Sequence, residues 1–291
     1  MLPLELVKLT TLMERTEGNP KVKIGLIDGP VVTQHPEMAD VRHYNISGSN
    51  SASCTQMNSA ACMHGTFVAG ILSAKRHSPA PAICPNCTLL IRPIFAETIS
   101  GREQMPSATP NELTAAIIEC IDAGAQVINL SLALAQPSAN GQQLLEEALN
   151  LTARRGVIVV AAAGNQGTLG SSAITRHAWV IPVVACDLAG RPLNASNLGC
   201  SIGRHGLCAP GDAITSLNTE GQPLTLGGTS VAVPFVTGAI ALLLSAFPAA
   251  TAAQIKLAIT QAFLPRRASV VPPLLDAEMA YQTLLTASAS R

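Results

Sequence analysis

Five short, nearly continuous apolar runs set the strongest limit on how this chain folds. They are KVKIGLID (21–28), TLLIRPIF (88–95), AQVINLSL (125–132), GVIVVAAAG (156–164) and AWVIPVVAC (178–186). A strand with one face in water alternates polar and apolar residues. A strand covered on both faces does not, and such strands belong to parallel sheets. Between the runs lie segments with helical spacing. NELTAAIIECIDAG (111–124) offers Asn111 as a cap, apolar residues three and four apart, and a terminal glycine. GQQLLEEALNLTARRG (141–156) repeats the pattern, with acids early and two arginines in its last turn, as the helix dipole favours. The alternation predicts an α/β chain in three layers: a mostly parallel central sheet flanked by helices and joined by right-handed crossovers.

At 291 residues, 48% hydrophobic and 12% charged, the chain can bury a large core and is not a disordered one. One domain over 1–291 is the economical reading. An amphipathic helix within 1–20 packs on it, ending near Gly18 and Pro20, and a tail occupies 266–291 after the helical stretch AAQIKLAITQAF. The stretches 47–61 and 99–110 read as surface loops by composition. Eighteen basic and eighteen acidic residues cancel, and aromatics are 3%, so neither nucleic acid nor an anionic membrane is expected as a partner. Glu5, Lys8, Glu14 and Arg15 break up the N-terminus, so no signal peptide is read there. The longest apolar run, Ala239 to Ala246, falls far short of the ~20 residues that span a bilayer. A cytoplasmic location is the expectation.

The eight cysteines leave alternatives. Cys84-Pro-Asn-Cys87 is a C-x-x-C, but no second ligand pair follows at zinc spacing, so no metal is expected. Cys54 and Cys62 flank a polar loop, and Cys200 and Cys208 flank SIGRHGL; either pair is placed to close a small disulfide. Buried thiols in a reducing compartment are the competing reading, for these and for Cys120 and Cys186.

Chemistry in a parallel sheet collects beyond the carboxyl ends of the strands. Asp28 ends the first run, His64 lies in MHGTFVAGIL, Asn165 follows VVAAAG, and Ser230 sits in GGTS before the apolar stretch VAVPFVTGAIALLL. Acyl transfer requires a hydroxyl, a base to take its proton, a carboxylate to set the base's tautomer, and donors for the oxyanion. These four residues supply those parts. Each has a plainer alternative: Ser230 as a helix cap, Asp28 as a strand end, Asn165 as a turn residue and His64 as a satisfied, partly buried histidine. Their conjunction at strand ends and helix starts, in the order Asp, His, Asn, Ser, favours the chemical reading. The remaining histidines, His35, His43, His77, His177 and His205, read as structural or exposed.

From about residue 20 to 265 the chain resembles the subtilisin-like serine proteases, through IGLIDGPV, HGTFVAGIL, VINLSL, VVAAAGN, LCAPGDAI and GGTSVAVPFVTGAIALLL. The resemblance implies Ser230 as nucleophile, His64 as general base and acid, and Asp28 as the orienting carboxylate. It also implies Asn165 and the Ser230 N–H as oxyanion donors, with no cofactor. It places the substrate-binding edge at Ser131, Leu132 and Ala133, and the wall of the pocket for the residue before the cleaved bond at Ala161, Ala162, Ala163 and Gly164; Thr229 adjoins them. The family usually follows its Ser-Leu with two glycines, where this chain has Ala133-Leu134, which alters the expected specificity. Val231 stands where methionine is more usual, a swap that packing tolerates. The loop SAKRHSPAPAICPNC lacks acidic ligands for the calcium held by secreted relatives, so no metal is expected there.

No long pro-segment is expected ahead of the first strand. TEGNPKVKIGLIDGPVVTQHP and APAICPNCTLLIRPIF resemble the cyanobactin maturation proteases, cytoplasmic enzymes that process ribosomally made precursor peptides. One type removes the leader; the other cyclises the core and carries a helical insertion between Asp and His. Thirty-six residues separate Asp28 from His64, too few for that insertion. The expectation is a serine endopeptidase removing a leader by hydrolysis. A macrocyclase on the same scaffold and an inactive peptide-binding relative are the alternatives.

Overall fold

The computed structural model describes residues 2–46, 53–97, 108–132, 141–260 and 269–289. The expected strands are present as β1 (Lys23–Asp28), β3 (Thr88–Pro93), β4 (Val127–Leu130), β5 (Ile158–Ala162) and β6 (Val180–Cys186). They are joined by β2 (His43–Asn45) and β7 (Leu207–Pro210) in a seven-stranded sheet of order β2-β3-β1-β4-β5-β6-β7, parallel at every pairing. A separate antiparallel hairpin pairs β8 (Ile214–Leu217) with β9 (Pro223–Leu226). Strand order reverses at β1, which has β3 on one side and β4 on the other. The crevice beyond such a reversal is where ligand-handling groups gather in open α/β sheets.

Successive strand residues feed opposite faces, which explains the lack of polar alternation in the sequence. Val127, Ile158 and Val160 join one apolar cluster with α3 (Ala60–Ser73) and α7 (Thr229–Ala246). Ile128, Val159 and Ala161 join another with α4 (Pro110–Asp122) and α5 (Gln142–Arg155). By length and composition α7 could cross a membrane, but 78% of that window is buried inside the fold, where it serves as the central core helix.

Local signals explain most boundaries, and two expectations need correcting. The cap of α4 is Thr109, not Asn111. Pro110 takes the first helical position, the Thr109 hydroxyl accepts the Glu112 N–H at 3.2 Å, and Glu112 Oε2 accepts the Thr109 N–H at 2.9 Å. The N-terminal segment is two helices, α1 (Pro3–Leu6) and α2 (Leu9–Arg15), rather than one. The break at Lys8, in the left-handed region at φ 53°, buries Val7 with Leu9 and Leu12. It also lets the Val7 carbonyl accept the Ala277 N–H, at the start of α9 (Ala277–Ala289), and Lys8 pair with Asp276. Between α7 and α9 lie α8 (Ala252–Thr260) and a stretch that includes 261–268, outside the described residues. A short α6 (Cys200–His205) precedes β7.

Of the two candidate cysteine pairs, Cys54 and Cys62 are bridged. Cys200 and Cys208 are free thiols, one exposed on α6 and the other buried in β7. Cys84, Cys87, Cys120 and Cys186 are buried thiols.

Candidate active site

Asp28 closes β1 completely buried, and the next residue's N–H donates to its Oδ1 at 2.7 Å. The helix α3 starts from Ser59, whose hydroxyl accepts the Cys62 N–H, and presents His64 from its second turn. Two glycines bring helix and strand end together. A Cβ on Gly29 would lie 1.9 Å from the Ala61 carbonyl oxygen, and one on Gly65 would lie 2.4 Å from that of Gly29. Only bare backbone fits both positions.

At that separation His64 Nδ1 reaches Asp28 Oδ1 at 2.7 Å, and Nε2 reaches Ser230 Oγ at 3.0 Å. A carboxylate oxygen only accepts, so Nδ1 carries the proton and Nε2 offers its lone pair to the Ser230 hydroxyl. Burial by itself lowers the imidazole's affinity for a proton. The charge of Asp28 and its hydrogen bond outweigh burial and hold the His64 pKa above the ordinary histidine value.

Ser230 is the second residue of α7, after Gly228 in the left-handed region at φ 120°. The first N–H groups of a helix lack acceptors within it and carry the positive end of the dipole, which suits a hydroxyl that must develop negative charge. Asn165 follows β5. Its Oδ1 accepts both the backbone N–H and the hydroxyl of Thr229, each at 2.9 Å, leaving Nδ2 as the outward donor. The Thr229 hydroxyl also accepts the Gly164 N–H at 3.2 Å.

The structure therefore brings Asp28, His64, Ser230 and Asn165 to one rim. Ser131, Leu132, Ala162, Ala163 and Gly164 lie at the ends of β4 and β5 and are buried. Ala133 lies outside the described residues. Thr229, expected beside the substrate, is fully buried, with its backbone N–H and hydroxyl donating to Asn165 and its hydroxyl accepting from Gly164. Sequence reading missed this pairing because 64 residues separate the partners. A hydroxyl on an imidazole oriented by a buried carboxylate, beside an amide donor, is equipped for acyl transfer.

A family model for the subtilases matches residues 19–280. The chain belongs to the subtilase family. This subtilase is 28% identical to subtilisin DY of Bacillus licheniformis over 256 residues, covering 86% of each chain. It is 30% identical to subtilisin E of Bacillus subtilis over 257 residues, which cover 86% of this chain and 62% of that relative. Among solved structures, a serine-to-alanine variant of the protease domain of PatA superposes with a TM-score of 0.84 at 28% identity, covering 93% of this chain and 97% of that one. The prenylagaramide maturation protease PagA does so with 0.81 at 28% identity, over 95% and 98%. The PatG macrocyclase domain, at 0.80 and 20% identity over 96% and 95%, shares the fold. The subtilase is a serine peptidase.

Among the described residues, Cys54, Cys62 and Glu97 form a group of potential metal ligands. The two sulfurs are bonded to each other, so neither stands there as a thiolate ligand.

Proposed function

We propose that this subtilase is an endopeptidase that removes the leader from a ribosomally made precursor peptide, with water as the acyl acceptor. The observation that carries the chemistry is His64 hydrogen-bonded to Asp28 at one nitrogen and to Ser230 at the other. In this reading Ser230 Oγ attacks the scissile carbonyl as His64 Nε2 takes its proton, and Asp28 stabilises the imidazolium that forms. The Asn165 amide and the Ser230 N–H receive the oxyanion. His64 then protonates the leaving amine, and a water deprotonated by the same nitrogen releases the acyl group. The peptide lies as an added strand against Ser131 and Leu132 on one side and Ala162, Ala163 and Gly164 on the other.

The likeness to PatA and PagA supports a precursor peptide as substrate, and that substrate makes the cytoplasm the place of action, where the Cys54–Cys62 bridge is open to reduction. Between β1 and α3 the described residues hold only a single 3₁₀ turn, Pro36–Met38, and the three-residue β2. Neither offers a helical cover to keep water from an acyl-enzyme, which favours hydrolysis over cyclisation.

The test is incubation of parent and Ser230→Ala proteins with a peptide library, with and without reductant, and product analysis by mass spectrometry. The parent yields linear fragments, and Ser230→Ala, folded as the parent is, yields none. Cleavage by Ser230→Ala at the parent rate would overturn the nucleophile. Predominantly cyclic products, one water lighter than the linear ones, would overturn hydrolysis.

A further inference from the structure

A buried polar chain runs from the helix that carries Ser230 to the end of β4, and acyl transfer makes no use of it. Thr237, two turns after Ser230 on α7, is fully buried, and so is Asn129 on β4. The Thr237 hydroxyl donates to Asn129 Oδ1 at 2.9 Å, and Asn129 Nδ2 donates to Ser131 Oγ at 2.7 Å. The same helix and sheet face feeds an apolar core cluster, with Val127, Val160, Val233, Val236 and Ile240 among its members. A primary amide enclosed there is tolerated only when its polar atoms are paired, and an aliphatic side chain would fill the space without that demand. What the amide adds is direction. A hydroxyl donor at one end fixes the carbonyl, the carbonyl fixes where the NH₂ points, and the NH₂ holds the side chain of Ser131.

We propose that Thr237 and Asn129 are positioning residues for the substrate. They tie the strand end at Ser131-Leu132 to the nucleophile's helix, so that an extended peptide laid along that edge presents its scissile carbonyl to Ser230 in a fixed register. The inference rests on the peptidase reading above and extends it to residues that touch neither substrate nor reacting atoms. Loss of the Thr237 hydroxyl frees the amide to turn, and the strand end then loses its link to α7.

Two probes separate this role from the triad's. A small fluorophosphonate reports on Ser230, His64 and the oxyanion donors but carries no peptide to lie along β4. Peptides of increasing length report on the edge as well. In Thr237→Val, which keeps shape and removes the donor, labelling stays within about twofold of the parent, while KM for the longer peptides rises about tenfold. Thr237→Ser restores KM. An unchanged KM in folded Thr237→Val overturns the proposal, as does a parallel fall in labelling and cleavage. Should Thr237→Val not fold, Ser131→Ala removes the acceptor at the strand end, and an unchanged KM there overturns it equally. Failure of the peptidase reading itself looks different: the parent protein would then neither label nor cleave.

Discussion

Thr229 gives both its backbone N–H and its hydroxyl to a single oxygen of Asn165, each at 2.9 Å. Two donors on Oδ1 settle which end of the amide is left free, so in the proposed role Nδ2 is aimed before any substrate arrives. Preorganisation of this kind is what makes an oxyanion donor effective. Thr229→Val removes one donor and leaves the other, so kcat is expected to fall about tenfold with little change in KM, and Thr229→Ser to restore it. Asn165→Ala removes the outward donor itself and should cost about 10²–10³ in kcat. Steady-state kinetics decides the matter. A loss confined to KM would return Thr229 to the role of a substrate contact.

The pairing of His64 with Asp28 sets the pH response. The imidazole must be neutral to take the Ser230 proton, and its pKa is held above the ordinary value of about 6.5. The acid limb of kcat/KM is therefore expected above that value, not at or below it. Stability responds in the opposite sense. The protonated pair favours the folded state fully below the unfolded histidine's pKa, and that contribution is lost as pH rises through the folded one. Activity should thus rise across the window in which this contribution fades. Asp28→Asn lowers the limb and kcat together. An acid limb below 6.5 in the parent would show that burial, not the carboxylate, dominates at His64.

How much of this was legible in the sequence follows from how local each signal is. β1, β4, β5 and β6 are each covered on both faces, so their apolar runs mark them without help from partners. Asp28, Asn165 and Ser230 sit at the punctuation of such runs and can be found from them. The Thr109–Glu112 capping box is also local, and Asn111 is the poorer cap because Pro110 belongs at the first helical position. β9 is only four residues long and half exposed, too short for a periodic signal to rise above its surroundings. The links from Thr229 to Asn165 and from Thr237 to Asn129 span 64 and 108 residues, and only packing reveals them. Spacing left two cysteine pairs open for the same reason.

The bridged pair lies just before the catalytic helix turn. Cys54 is joined to Cys62, two residues ahead of His64, and the loop between them is held further by Glu97, which accepts the N–H groups of Thr55 and Gln56 at 2.8 and 2.9 Å. Closing a loop of this length removes unfolded-state freedom equivalent to about 2–3 kcal/mol. Cys54→Ser should lower the unfolding free energy by that amount, and adding a thiol reductant to the parent should do the same. Urea denaturation with and without reductant measures it. Equal midpoints in the two conditions would show that the bridge contributes nothing to stability.

The contact between strand end and catalytic helix supplies the sharpest test of the site's geometry. A methyl on Gly65 would come within 2.4 Å of the Gly29 carbonyl oxygen, and one on Gly29 within 1.9 Å of that of Ala61. Both obstacles are backbone, so no rotamer change relieves them, and α3 must move away from β1. A displacement of about 1 Å at a catalytic group is enough for a 10²-fold loss of rate. Gly65→Ala is therefore expected to reduce kcat about 10²-fold and stability by about 1–3 kcal/mol, the range typical of overpacking. Gly170 provides the control, since a Cβ there meets nothing within 4 Å. Gly170→Ala should stay within about 0.5 kcal/mol of the parent and leave kcat unchanged. Full activity in Gly65→Ala would mean that the 2.7 Å bond between His64 and Asp28 survives the added methyl, and that the close approach of α3 to β1 is not what positions the imidazole.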